Sequence, residues 1–431
     1  MWQDCVCGEF THMAFHRQDS DDKQLSGKFL LLISGQGADN TMTTSDKFPG
    51  PLRTAIRDLP ASKIRAISRE GMTRDDVVPL WFGEPNFPTP KFICDAASEA
   101  LAAGHTFYTE NRGIPPLRAA ISKYMSNLYG IDVGENRITT TVAAMNGIML
   151  VMEAIVDPGD NVVIVEPLWP NCRETVAIMA GEPRGVELDD VDGKWVLDLD
   201  RLFAACDDRT RAIFVNSPGN PTGWVMPAEQ QKAVLDFCRE KRIWLLADEV
   251  YARLIFDRPY APSFLELARP EDPLIAFNSF SKSWSMTGWR LGWLTAPPSM
   301  GEVFEKLNEY NISGPTTFVQ HAAIVAIEDG EEFIGETVEG YRRGRDLVYQ
   351  RLSGMSKVSL SFPEAAFYAF FKVDGVTDSL EFAREILNKA GVGLAPGAAF
   401  GKSGEGYLRL CFAASPDVLS KAMDKLEPML S

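Results

Sequence analysis

The chain has 431 residues, 45% hydrophobic and 24% charged, within the ordinary range of globular proteins. That length allows two or three domains, or one large domain with a smaller companion. The net charge of −16 repels nucleic acid and anionic membranes, so neither is an expected partner.

Residues 1–41 lack sustained periodicity and mix polar residues with an isolated apolar patch, Phe29–Ile33. They read as a disordered or loosely docked extension, or as a stretch preceding a true start at Met42. Within it "GQGADN" (Gly35–Asn40) has the glycines of a dinucleotide loop but no strand–helix unit around it. From about residue 85, helix-period segments cover Lys91–Ala103, Pro115–Tyr129, Asn146–Val156, Asn171–Ala180 and Pro227–Lys241. Short β-branched runs lie between them: Arg137–Val142, Asn161–Val165, Arg211–Val215, Arg242–Ala247 and Leu274–Asn278. Such alternation predicts an α/β fold, a mostly parallel sheet with helices on both faces. Sheets of this kind bind ligands beyond the carboxyl ends of their strands. A long helical region follows from Phe318 to Ser353, broken near Asp329 and Gly330. The tail gives strands at Val358–Ser361, Ala366–Val373 and Tyr407–Phe412 and helices near Ser379–Lys389 and Asp417–Leu426. This is the pattern of a smaller α+β domain.

Seven widely spaced cysteines with no CxxC pair predict reduced thiols and a cytoplasmic setting. The four histidines never stand at metal-ligand spacing beside cysteines, so no metal site is expected. No apolar run approaches the length of a membrane span.

Polar and ionisable groups gather just past the predicted strands. "RIWLLA" leads into "DEVY", with Asp248 and Tyr251; "RAIFV" leads into "NSPGNPTG", with Asn220; "LIAFN" leads into "SFSK", with Ser279 and Lys282. The turn after "RITTTV", at Ala144, Met145 and Asn146, aims free backbone N–H groups at an anion. Arg290 offers the bidentate fork that suits a phosphate. Asp248 suits a protonated ring nitrogen, and Trp169 in "EPLW" offers a flat face. Lys282 stands in "FNSFSKSWSMTGWRLGW" among serines and aromatics with no acidic neighbour. A phosphate site, a ring-nitrogen partner, a stacking face and an amine nucleophile together specify pyridoxal 5′-phosphate, held as a Schiff base to lysine.

The chain resembles a fold-type I, class I/II pyridoxal-phosphate-dependent aminotransferase over roughly residues 48–430. The motifs that carry the resemblance run in family order: "GEPNFPTP", "YTENRGIPPLR", "NSPGNPTG", "DEVY", "SFSKSWSMTGWRLGW", "PGAAFG" and "YLRLCFA". The resemblance implies a large cofactor-binding domain over 89–325, a small domain over 326–431, and an N-terminal segment, 42–88, joining the small domain. It implies that Lys282 carries the cofactor and moves the Cα proton, and that Asp248 pairs with the ring nitrogen. Asn220 and Tyr251 then hydrogen-bond the ring oxygen, and Trp169 stacks on the ring. Ser279, Arg290 and the Ala144–Asn146 amides hold the phosphate, with Tyr108 reaching the phosphate of a neighbouring subunit in a homodimer. Arg409 clamps the substrate carboxylate, and Gly83 lies where the N-terminal segment passes over the substrate.

Other readings fit less of the sequence. "SFSK" matches the Ser-x-x-Lys of serine acylases, but Ser-Asp-Asn and Lys-Thr-Gly are absent. A regulator with an aminotransferase-like domain that only senses the cofactor needs a DNA-binding module, for which some 41 acidic-chain residues leave no room. Carbon–sulfur β-lyases and cyclopropane-carboxylate synthases share nearly all the same residues, and the expected outcome is transfer of an amino group from an L-amino acid to a 2-oxo acid. Some dicarboxylate-using relatives have a basic residue where this chain has Met145. That departure favours a neutral apolar or aromatic donor, with 2-oxoglutarate or pyruvate as acceptor, unless an arginine elsewhere supplies the charge.

Overall fold

The structure is a computed structural model that describes residues 50–431, and its elements lie within Arg53–Ser431. The 1–41 extension, with Cys5, Cys7, His12, His16 and the Gly35–Asn40 stretch, lies outside the described residues. Seven strands form the central sheet: β1 (Ile138–Thr141), β2 (Asn161–Glu166), β3 (Glu182–Glu187), β4 (Thr210–Asn216), β5 (Trp244–Asp248), β6 (Leu274–Ser279) and β7 (Gly292–Thr295). Their order is β1-β7-β6-β5-β4-β2-β3. All neighbours pair in parallel except β7, which runs antiparallel to both β1 and β6.

The sheet is apolar on both faces, so its inner strands read as continuous apolar runs. Along β4 and β5, Ile213, Val215, Leu245 and Ala247 enter one core cluster, while Ala212, Phe214 and Leu246 enter another on the opposite face. The first face is covered by helices that include Pro115–Tyr129 and Thr317–Asp329, the second by Ala143–Ile155 and Gly301–Asn311. Pro115–Tyr129 has the punctuation its sequence predicts: prolines in the first turn and Gly130 ending it at φ 67°.

A second, four-stranded sheet is wholly antiparallel: β8 (Val358–Leu360), β9 (Tyr368–Val373), β10 (Ala395–Pro396) and β11 (Tyr407–Cys411), in the order β8-β9-β11-β10. Helices Glu331–Ser353, Ser379–Ala390 and Pro416–Leu430 share its core, together with Ile64 and Ile67 of helix Lys63–Gly71. Val78–Pro79 pairs with Val392–Gly393, which carries the N-terminal segment across this side.

Several elements differ from the sequence reading, three of them in or directly beside the central sheet. β3 is a half-exposed edge strand containing Pro183 and Gly185, which hide it from any β pattern. β7 has four residues and is set by pairing on both sides. The helix expected from Asn146 begins at Ala143, whose φ of 65° turns the chain sharply out of β1. Among the described residues, no helix is long and apolar enough to cross a membrane, and Cys94, Cys172, Cys206, Cys238 and Cys411 are free thiols.

Candidate active site

The carboxyl ends of β4, β5 and β6 open on a cavity of about 400 Å³. Every residue singled out from the sequence lines it except Asn146 and Tyr108. Asn146 lines an adjoining cavity, and its Oδ1 accepts the Val142 N–H at 3.2 Å. Tyr108 is 94% exposed and stands outside the lining.

Lys282 sits on a four-residue helical turn, Phe280–Ser283, directly after β6. Ser279 starts that turn: its Oγ accepts the Ser281 N–H at 3.1 Å and donates to the Leu291 carbonyl at 3.3 Å. The Lys282 amine donates to the Gly83 carbonyl at 2.6 Å, a neutral partner. Burial pushes the amine down to about 8, and the guanidiniums of Arg409 and Arg290 add to the fall.

Asp248, the last residue of β5, is buried, and its Oδ1 accepts the Val250 N–H at 3.3 Å. Burial pushes its carboxyl up to about 7, against the opposing effects of that N–H and of Lys282. Asn216, unmarked in the sequence, ties neighbouring strand ends together. Its Nδ2 donates to the Asp248 carbonyl at 3.0 Å, and its Oδ1 accepts the Asn220 N–H at 2.8 Å. The Asn220 backbone carbonyl in turn accepts the Trp169 backbone N–H at 3.0 Å, and Trp169 lines the cavity.

Arg409 reaches in from β11 and is 2% exposed. Its Nη1 donates to Asn220 Oδ1 at 2.9 Å, and its Nη2 bonds the Trp81 carbonyl. The guanidinium lies 4.5 Å from the centre of the Tyr368 ring, and its Nε is buried without a partner. Tyr368, also absent from the sequence reading, shares a 2.8 Å hydrogen bond with the Tyr251 hydroxyl. Their partnership spans 117 residues of chain, so no local pattern announces it.

At the other end, helix Ala143–Ile155 starts with no side-chain cap, and Ala144 and Met145 line the cavity. The first amides of a helix have no partner within it. Gly292 is required here: a Cβ would stand 2.6 Å from the Ala144 nitrogen and 2.7 Å from the Asn278 carbonyl oxygen. Arg290 is held at φ 55°, its Nη1 donating to the Thr287 carbonyl at 2.6 Å. A left-handed conformation at a non-glycine residue costs roughly 1 kcal/mol or more.

These groups suit a pyridoxal phosphate. The cavity has an uncapped helix start with an arginine for a phosphate, a buried carboxyl for a ring N–H, and an amine held near neutrality for an aldehyde. The partnerless Arg409 Nε adds a donor for a carboxylate.

The comparisons agree with that chemistry. The family model "Aminotransferase class I and II" matches residues 75–426. An aspartate aminotransferase of Pyrococcus horikoshii is 36% identical over 86% of this chain and 94% of its own length. An aromatic-amino-acid aminotransferase of Thermococcus litoralis is 34% identical over 86% of this chain and 95% of its own. A solved aspartate aminotransferase of Thermus thermophilus superposes with a TM-score of 0.83 at 30% identity, covering 88% of this chain and 100% of that one. The chain belongs to the class I and II aminotransferases, fold-type I enzymes that use pyridoxal 5′-phosphate to move an amino group between amino acids and 2-oxo acids.

Proposed function

We propose that the cavity is the transamination site and that Lys282 is both the point of cofactor attachment and the base that moves the proton at the substrate's Cα. The observation that carries this is the meeting of the Lys282 amine, the Asp248 carboxyl and the Arg409 guanidinium at one cavity. Bound pyridoxal phosphate supplies an electron sink for the substrate's Cα. A lysine near 8 is neutral often enough at working pH to take that proton and give it back. Asp248 would hold a ring N–H, a partner that favours the charged form of its carboxyl. Asn220 and Tyr251 serve the ring oxygen, and Trp169 the ring face. Ser279, Arg290 and the amides of Ala144, Met145 and Asn146 serve the phosphate. Arg409 takes the α-carboxylate, and Gly83 and Trp169 border the substrate.

The assembly is a homodimer in which Tyr108 completes the neighbouring subunit's phosphate site; its 94% exposure supports that reading. Residues 89–325 act as the large domain, and 326–431, with 42–88 joined to them, as the small one. Arg409 then couples carboxylate binding to exclusion of water. Free cysteines support a cytoplasmic setting. Half-buried Met145 and buried Ile148 give the cavity an apolar wall, which supports a neutral apolar or aromatic donor with 2-oxoglutarate or pyruvate as acceptor.

Borohydride reduction followed by peptide mass mapping tests the attachment: the phosphopyridoxyl mass is expected on the peptide containing Lys282. A panel of single amino acids, added without acceptor, tests the transfer through the change in the cofactor's visible absorbance. Label on another lysine, or no absorbance change with any donor, overturns the reading.

A further inference from the structure

The proposed chemistry uses no histidine, yet His105 and His321 stand face to face. Their ring centres are 3.9 Å apart and their planes 26° from parallel. His105 begins the short stretch that leads to Tyr108, and His321 lies on helix Thr317–Asp329. The stack ties that stretch to that helix.

Tyr108 depends on such ties. Its side chain is 94% exposed and that of Phe107 82%, so neither is seated in its own subunit. The backbone on either side is held instead. The Phe107 carbonyl accepts the Thr317 hydroxyl at 2.6 Å, and Thr317 stands one turn before His321 on the same helix face. Beyond Tyr108, the Asn111 carbonyl accepts the Asn308 Nδ2–H at 2.7 Å, and Asn111 Nδ2 donates to Glu309 Oε2 at 2.6 Å. Of the residue types in these anchors, histidine is the one that ordinarily titrates between about pH 5 and 8.

Two neutral imidazoles stack, whereas two imidazolium rings at this spacing repel. Burial pushes His321 below the usual imidazole range, and His105 pushes it the same way. No other charged group acts on His321, Glu110 of the Tyr108 loop included. On the packed helix Lys91–Ala102, Lys91 and Asp95 pair with each other and Glu99 is exposed. Helix Pro115–Tyr129 carries Arg118 and Lys123, Glu328 and Asp329 lie about two turns along the histidine's own helix, and Glu331 is held by Arg253.

We infer that the His105–His321 stack positions Tyr108 for the neighbouring subunit's phosphate site and releases it when both rings are protonated. The inference rests on the shared-site reading and deepens it: both histidines are positioning residues that act through Tyr108.

The test is the pyridoxal phosphate dissociation constant of the dimer, read by equilibrium dialysis at about pH 8 and about pH 5.5. Wild type is compared with His105→Phe, which keeps a ring on His321 but gains no proton, so the cofactor's own titration cancels. The two are expected to agree at the higher pH. At the lower, wild type binds roughly tenfold more weakly, the size of one charge-assisted contact. His105→Ala, with no ring to stack, is weakened at both. In a Tyr108→Ala background the difference between His105 and His105→Phe disappears. Agreement of wild type and His105→Phe within roughly threefold in acid, a difference that survives Tyr108→Ala, or His105→Ala as tight as wild type at the higher pH overturns the proposal. If Tyr108→Ala itself weakens cofactor binding, such a failure sinks only the role of the histidines; if Tyr108→Ala holds cofactor as tightly as wild type, the shared site fails with them.

Discussion

The Gly83 carbonyl accepts the Lys282 amine at 2.6 Å across 199 residues of sequence, so the N-terminal segment is strapped over the amine proposed to do the chemistry. The strap has no room for a side chain. A Cβ at Gly83 would overlap the Tyr368 hydroxyl, which is bonded to Tyr251. In Gly83→Ala either the strap lifts from Lys282 or the tyrosine pair separates. Overpacking of this kind costs about 1–3 kcal/mol. The expected result is a fall in kcat/KM of roughly 10- to 100-fold, with cofactor content unchanged. Steady-state kinetics alongside a cofactor assay checks this; full activity in Gly83→Ala would show that the strap is not part of the working site.

The position of the Lys282 amine has a direct pH consequence. Attachment of an aldehyde requires the neutral amine. An ordinary lysine is neutral only near 10.5, whereas burial brings Lys282 to about 8. The rate of pyridoxal phosphate uptake by cofactor-free protein is expected to climb between about pH 7 and 9 with its midpoint near 8. Stopped-flow absorbance over that range reads it out. A midpoint near 10.5 would mean the amine is hydrated as at a protein surface.

Asp248 gives a signed stability prediction for the cofactor-free protein. Its folded carboxyl titrates near 7, against 3.8 for the unfolded chain. As pH rises from about 4 to 7 the unfolded chain loses this proton and the folded chain keeps it, so stability falls across that window. The loss is at most roughly 4 kcal/mol. Glu249 shifts the same way, but it cancels when wild type is compared with Asp248→Asn. The variant should melt roughly 5 °C above wild type at pH 8 and together with it near pH 4, while losing at least about a hundredfold in transamination. Thermal melts of both cofactor-free proteins from pH 4 to 9 decide it; an equal offset at every pH would mean the carboxyl is not held protonated.

What could be read from the chain follows from range. β2, β4, β5 and β6 are short apolar runs flanked by helix-period segments, and Asp248 and Ser279 end two of these strands, so their gathering at one sheet edge was legible. β3 was not, because Pro183 and Gly185 break its pattern at a solvent-exposed edge. Asn216 and Tyr368 carry no local signal. Asn216 looks like a strand end and Tyr368 like core. Each acquires its place only through a partner distant in sequence: Asn216 with Asp248 and Tyr368 with Tyr251. Periodicity reports which face of an element is buried and is silent about what it is buried against.

Tyr108 separates a shared site from a self-contained one. It is 94% exposed and outside the lining of its own subunit's cavity, although it lies in a motif of the active-site resemblance. If it serves the neighbouring subunit, Tyr108→Ala and Lys282→Ala fail in different ways that a mixed dimer repairs. Random reassociation of equal amounts makes half of the dimers mixed. In each, one site combines Lys282 from one chain with Tyr108 from the other. Roughly a quarter of the wild-type site count should return, against the low activity of either variant alone. Had Tyr108 acted within its own subunit, one site of the mixed dimer would lack the tyrosine and the other the lysine, and mixing would restore nothing. Reassociation from dilute urea, with sedimentation to establish the dimer and turnover to count sites, distinguishes the two.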